Sequence, residues 1–233
     1  MMKGQIHESH PHPGLLSDFI LGSQDGLVNV LGILLGLSAA TGDTRIIIIA
    51  ALAALGAESV SMGAVAYTST LARLRFYQAE TQRELHEMRE VPDMEREEVR
   101  TVFRKWGYEG EELEELVRKI ESKPKAMLDF MMAFELNLAP VGPLQPRNSA
   151  LVVFAATVLG SFIPLVPFLV AGHAIVTAAF ASIGLSAAAL FGIGWYEATT
   201  TVGSLWKSGL RMLVIGLGAG FAGFLIGHFA GTL

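Results

Sequence analysis

The chain has 233 residues, of which 52% are hydrophobic and only 17% charged, with a formal net charge of −5. That balance excludes an ordinary soluble domain and gives no basis for nucleic-acid binding. The absence of Cys excludes disulfides and thiolate metal sites.

The charge is segregated along the chain. Of the 22 Asp and Glu residues, 16 fall between Glu80 and Glu135, and residues 15–40, 46–72, 149–170, 174–196 and 212–233 carry almost none. Each of these stretches is near or above the roughly 20 residues an apolar helix needs to cross the hydrocarbon core. They are rich in Gly and Ala, as closely packed membrane helices are. The predicted fold is therefore an all-α integral membrane protein of five transmembrane helices. A water-facing domain of three to four helices is inserted between the second and third.

In chain order, residues 1–14 read as a polar tail with two prolines. Lys3 is its only basic residue, and no small-residue cleavage site precedes the long apolar segment, so that segment reads as a retained helix rather than a signal. The first two spans occupy residues 15–74, joined by a short turn at Thr41-Gly42-Asp43. Nothing breaks the second helical pattern before Val91-Pro92, which predicts a rod continuing to about Glu90.

Residues 75–139 form the acidic domain: a helix from Asp93 to about Trp106, a second over residues 109–121, and a third from Pro124 to about Leu138. A Pro-rich linker leads to the spans in residues 148–233. Pro164 and Pro167 predict a kink in the third span, and residues 197–207 read as the loop before the fifth. Arg45 alone stands on one side of the membrane, against thirteen basic residues from Arg73 to Arg147 with Lys3, Lys207 and Arg211 on the other. The acidic domain and the N-terminus are accordingly expected in the cytoplasm.

Asp25 stands near the middle of the first span, where a carboxylate costs at least about 2.5 kcal/mol and marks either a helix–helix hydrogen bond or an ion path. Gly22, Gly26 and Asn29 add space and polarity on the same face. Glu58 and Met62, four apart in the second span, share a face. An oxygen and a thioether sulfur together suit a borderline transition metal better than calcium or magnesium.

The domain repeats the pattern with Glu84 and Glu87, Glu95 and Glu98, and Met131 and Glu135, each pair on one helical face. The competing readings are a dipole preference for Glu95, Glu97 and Glu98 and a solvated face of Glu84 and Glu87 with Arg83 and Arg89. Glu111, Glu112, Glu114 and Glu115 read as a solvated run. His7, His10 and His12 offer a further metal-ligand cluster in the tail. The Glu-x-x-His pair of a ferritin-like oxidase is missing, because Arg83 precedes His86 by three.

Several stretches together resemble the vacuolar iron transporter family of cation/proton antiporters. They are Ser23-Gln24-Asp25-Gly26-Leu27, Ser61-Met62-Gly63, residues 92–99, Leu128-Asp129-Phe130-Met131-Met132-Ala133-Phe134-Glu135-Leu136 and Gly160-Ser161-Phe162-Ile163-Pro164-Leu165-Val166-Pro167. The resemblance runs from about Leu15 to the C-terminus. It implies a homodimer with the cation path between subunits, exporting iron(II) and related divalent ions from the cytoplasm in exchange for protons. Carried over by position, Asp25 and Met62 would line the path, and Glu84, Glu87, Glu95, Glu98, Met131 and Glu135 would hold metal in the domain. In one place the chain departs from the family pattern. The family has a glutamate two turns before the methionine, where this chain has Ala54, and Glu58 is the sole glutamate of the second span.

The expected function is thus a transporter exchanging a divalent transition metal, iron(II) first and manganese(II) second, for protons, with no organic cofactor. A membrane-anchored di-iron ferroxidase and a non-transporting metal sensor or scaffold are the alternatives. A prokaryotic plasma membrane is the expected home, with a vacuole-like membrane as the other.

Overall fold

The computed structural model describes residues 13–231, and among them it contains eight α-helices, one π-turn and no strand. Helix α1 spans Pro13–Ala40, α2 Thr44–Glu90, α3 Pro92–Lys105, α4 Gly110–Glu121, α5 Pro124–Phe130, α6 Gln145–Val170, α7 Ile175–Thr200 and α8 Leu205–Ala230, with the π-turn at Met131–Glu135. His7, His10 and His12 lie outside the described residues.

Five helices, α1, α2, α6, α7 and α8, are long and apolar enough to cross a membrane. Their apolar residues point outward as well as inward: Ile49 is 57% exposed, Val60 65%, Leu151 66% and Phe180 71%, the pattern of a surface that meets hydrocarbon. The chain divides into two compact units, residues 1–67 with 147–233, and residues 68–146.

In the first unit the core gathers Val30 and Leu34 from α1, Ile47 and Ala51 from α2, Leu165 and Phe168 from α6, and Ala178 from α7. Glycine sets how closely these helices approach. A Cβ on Gly22 would stand 2.5 Å from the Val153 carbonyl oxygen of α6, and one on Gly223 of α8 would stand 2.5 Å from the Gly32 carbonyl oxygen of α1. Gly26 and Gly160 lock α1 to α6 in the same way, and Gly36 and Gly227 lock α1 to α8. Without a hydrophobic drive between helices in lipid, such close backbone contact is the main attraction available.

One sequence expectation shifts here. The loop before the last span is only Thr201–Ser204, because α7 continues to Thr200 and α8 begins at Leu205. Hydroxyls of Thr199, Thr200 and Thr201 donate to the Tyr196 and Glu197 carbonyls, and Arg211 pairs with Glu197 at 2.8 Å. A polar stretch was thus helix end and helix start rather than loop. Pro164 and Pro167 lie inside an α6 that continues to Val170, and Ser182 of α7 donates to the Pro164 carbonyl at 2.8 Å.

The second unit has its own core of Val99, Val102, Phe103, Leu113, Val117, Met127, Phe130 and Met131. Pro92 opens α3 and Pro124 opens α5, both at positions where the missing N–H costs nothing. Gly107, at φ 92°, follows the end of α3 in a conformation that side chains resist. On the outer face Arg100 reaches Glu114 at 2.7 and 2.9 Å, and Arg96 reaches Glu121 at 3.0 Å, tying α3 to α4. Glu114 is therefore an ion-pair partner, not a member of a free solvated run. The third predicted helix also changes character: α5 ends at Phe130 and the chain continues as a π-turn, with Leu136 N–H donating to the Met131 carbonyl five residues back at 3.0 Å. Asn137, at φ 54°, then stops it.

Candidate metal centre

The buried face of α3 explains why its glutamates are not all alike. Glu95, Val99, Val102 and Phe103 are buried, whereas Glu97 turns outward to Arg100 and Arg104. Helical spacing thus sends Glu95 inward with the apolar residues. It is 1% exposed, so it does not stand on a solvated helix start, although it lies in the first turn of α3. On α2, Glu84 is 3% exposed, and Arg83 pairs with Glu80 at 3.1 Å rather than with Glu84.

Glu84, Glu87 and Glu95 each offer a carboxylate oxygen, and these three atoms lie within 4.8 Å of one another. Glu84 Oε2 and Glu95 Oε2 are buried with no hydrogen-bond partner. Burying a carboxylate oxygen with nothing to receive it costs several kcal/mol by order of magnitude. Three carboxylates converge here, two of them with an unpartnered buried oxygen, and oxygen ligands of this kind are what a divalent cation takes.

The carboxyl groups of the set shift one another's titration. Burial, then repulsion from Glu98, Glu84, Glu87 and Glu135, pushes Glu95 from 4.5 up to about 7. Burial and Glu87 push Glu98 up. Glu135 is exposed as a residue, yet its carboxyl end sits in the crowded cluster, and desolvation followed by Glu98 and Glu87 raises it too. All three shifts have the same causes, desolvation and neighbouring carboxylates, and both favour the protonated form. Met131 is fully buried in the domain core at the start of the π-turn that ends at Glu135. π-turns recur at functional sites because they re-aim side chains within a helix.

A second acidic pair lies in the spans. Asp25 of α1 and Glu58 of α2 stand within side-chain hydrogen-bonding reach of each other, and Asn29 Nδ2 donates to Glu58 Oε1. Asp25, Glu58 and Met62 are each half-buried, and Ala54 is half-buried one turn before Glu58. Two neighbours were missed in the sequence. Glu80, 6% exposed, stands four before Glu84, and that spacing was a usable signal. The sequence shows Asn29 only as polarity near Asp25; that it bonds Glu58 depends on how α1 and α2 meet, which spacing within one helix does not show.

The family model described as the VIT family matches residues 16–228. The chain is 35% identical over 224 residues to vacuolar iron transporter 1 of Eucalyptus grandis, covering 94% of this chain and 88% of that protein. It is 34% identical over 212 residues to vacuolar iron transporter 1 of Arabidopsis thaliana, with coverages of 91% and 84%. It is 25% identical over 223 residues to protein CCC1 of Saccharomyces cerevisiae, with coverages of 92% and 69%. A family match running from the first span to the end of the last, over a chain whose acidic residues converge as described, leaves one assignment: the chain belongs to the VIT family.

Proposed function

We propose that this chain is a membrane transporter that moves a divalent transition metal, iron(II) first and manganese(II) second, out of the cytoplasm in exchange for protons. The observation that carries the reading is the Glu84, Glu87 and Glu95 cluster with its two buried, unpartnered oxygens. In this reading Glu98, Glu135 and Met131 complete the cytoplasmic centre, which collects metal from dilute solution. Asp25, Glu58 and Met62 form the passage through the spans. Two carboxyl groups in contact hold either a shared proton or a cation between them, so metal leaving one way and protons returning the other use the same atoms.

The same passage supports a homodimer. Asn29 is exposed at the surface of the single chain, and Asp25, Glu58 and Met62 are only half covered. Polar groups at that depth are costly against lipid, and a second copy of this chain covers them. The names of the relatives support iron as the cargo. Among the described residues the carboxylate group contains no His, which weighs against a di-iron oxidase.

Metal uptake into proteoliposomes under an imposed pH gradient tests the proposal. Inward-facing acid should drive iron(II) and manganese(II) entry that collapses with a protonophore. Uptake indifferent to the gradient, or oxygen consumption without metal flux, would overturn it.

A further inference from the structure

Glu58 raises a physical question that the metal passage alone does not answer. Its side chain has three rotatable bonds, it is only half buried, and it lies in a span where most neighbours are apolar. A flexible carboxylate there can fold back along its own helix or point to any polar defect, and fixing it costs rotamer entropy. Something must choose its direction.

The α1 face provides that something. Asp25 and Asn29 are four apart and therefore stack on one side of α1. Counted from the α1–α2 turn, the helical rise of about 1.5 Å per residue puts Glu58 at a depth between the two, nearer Asp25. Asn29 Nδ2 donates to Glu58 Oε1, and Glu58 remains within reach of Asp25. One oxygen is thus held by a neutral donor while the carboxyl group as a whole still faces the second carboxylate.

We propose that Asn29 is a positioning residue of the passage: its carboxamide N–H holds one Glu58 oxygen so that the carboxylate faces Asp25. This rests on the reading that metal passes Asp25 and Glu58. The chemistry of the donor fits. A lysine or arginine in its place would orient Glu58 equally well but would repel the cation, and an aspartate would add a third negative charge without a donor. An amide orients a carboxylate and leaves its charge available. Asn29 and Glu58 form a matched pair, one on each helix.

The bland alternative is that Asn29 merely glues α1 to α2, as hydrogen-bonding side chains do in membranes. The two roles separate in one experiment. Manganese(II) uptake into proteoliposomes is measured across metal concentration for the full chain and for Asn29→Leu, Asn29→Ala and Asn29→Gln, with the thermal midpoint of each in detergent. Positioning predicts that Asn29→Leu and Asn29→Ala raise KM about tenfold or more, the loss expected for a hydrogen bond to a charged group. Their thermal midpoints stay near that of the parent, since Asn29 is not among the side chains that build the core of the first unit. Asn29→Gln, which keeps an amide donor on a longer arm, recovers part of the loss. Asn29→Ala adds no bulk and reports the same effect should Leu disturb insertion.

An unchanged KM in both apolar variants overturns the inference. So does a lowered midpoint in all three with KM unchanged, the signature of glue. A parent chain that moves no manganese(II) or iron(II) under a pH gradient overturns instead the transport reading on which the inference rests, and an active parent with indifferent Asn29 variants overturns only the positioning role.

Discussion

Replacing Glu95 by Gln should make the metal-free protein more stable and the metal centre weaker. The carboxyl is 1% exposed, and burial with its glutamate neighbours raises it from 4.5 to about 7. A group that binds its proton more tightly when folded contributes stability that is fully present below the unfolded value and is lost as pH rises through the folded one. For Glu95 that window runs from about pH 4.5 to about pH 7. At 1.36 kcal/mol per pH unit, the loss on reaching pH 8 is on the order of 3 kcal/mol, shared with the neighbouring glutamates whose repulsion contributes to the shift. Glu95→Gln removes the charge and keeps the shape, so most of that penalty should vanish. Hydrogen exchange of α3 and α4 amides in the full chain, corrected for the intrinsic pH dependence of exchange, measures it directly. Metal-free wild type should be less protected at pH 8 than at pH 5, and the variant should lose most of the difference. Metal affinity of the same variant should fall at least about tenfold, because one of three converging carboxylates is gone. Equal protection of wild type and variant at pH 8, together with equal affinity, would show that Glu95 is neither strained by its neighbours nor a ligand.

The remaining expectations are simpler. Asp25→Asn keeps volume and removes charge, so uptake should collapse while the detergent-solubilised protein keeps its thermal midpoint; normal proton-coupled uptake would remove Asp25 from the passage. Glu58→Gln should impair uptake and shift its pH profile, whereas Ala54→Glu should be tolerated or alter the preferred metal, as a competition assay between iron(II) and manganese(II) will show. Gly223→Val places side-chain atoms against the Gly32 carbonyl, 2.5 Å from a Cβ alone, and should cost about 1–3 kcal/mol or more. Gly218→Val, with nothing within 4 Å, should be neutral in the same melting experiment. Arg100→Met breaks the 2.7 and 2.9 Å bonds to Glu114 and should destabilise the domain by about 1 kcal/mol.

Much of the architecture was legible because membranes restrict the options. Hydropathy and charge segregation located five long helices, since a spanning segment has to satisfy its own backbone. Helical spacing brought out Glu84, Glu87 and Glu95 as neighbours in their own helices, but only folding decides that α2 and α3 turn them toward one another. The π-turn was invisible because Met131 to Glu135 carries no glycine or proline to announce a change of register. The stretch over residues 197–207 misled because threonines that cap a helix by bonding back to its carbonyls look, in composition, like a loop. The ion pairs of Arg100 with Glu114 and Arg96 with Glu121 join residues 14 and 25 apart, and no local pattern encodes such partners.

The glycine contacts of α8 have a consequence for genetics. A mutation that overfills a contact is normally rescued by trimming whatever it hits. At Gly209, a new Cβ meets the Phe191 ring at 2.6 Å, and at Gly216 it meets the Leu190 side chain, so smaller residues at 191 or 190 are available suppressors. At Gly223 and Gly227 the obstructing atoms are the backbone of Gly32 and Gly36. A peptide carbonyl cannot be made smaller, and glycine has no side chain left to shave. Revertants of a damaged Gly209 or Gly216 should therefore arise at second sites in α7, whereas those of Gly223 or Gly227 should arise almost only by restoring glycine itself.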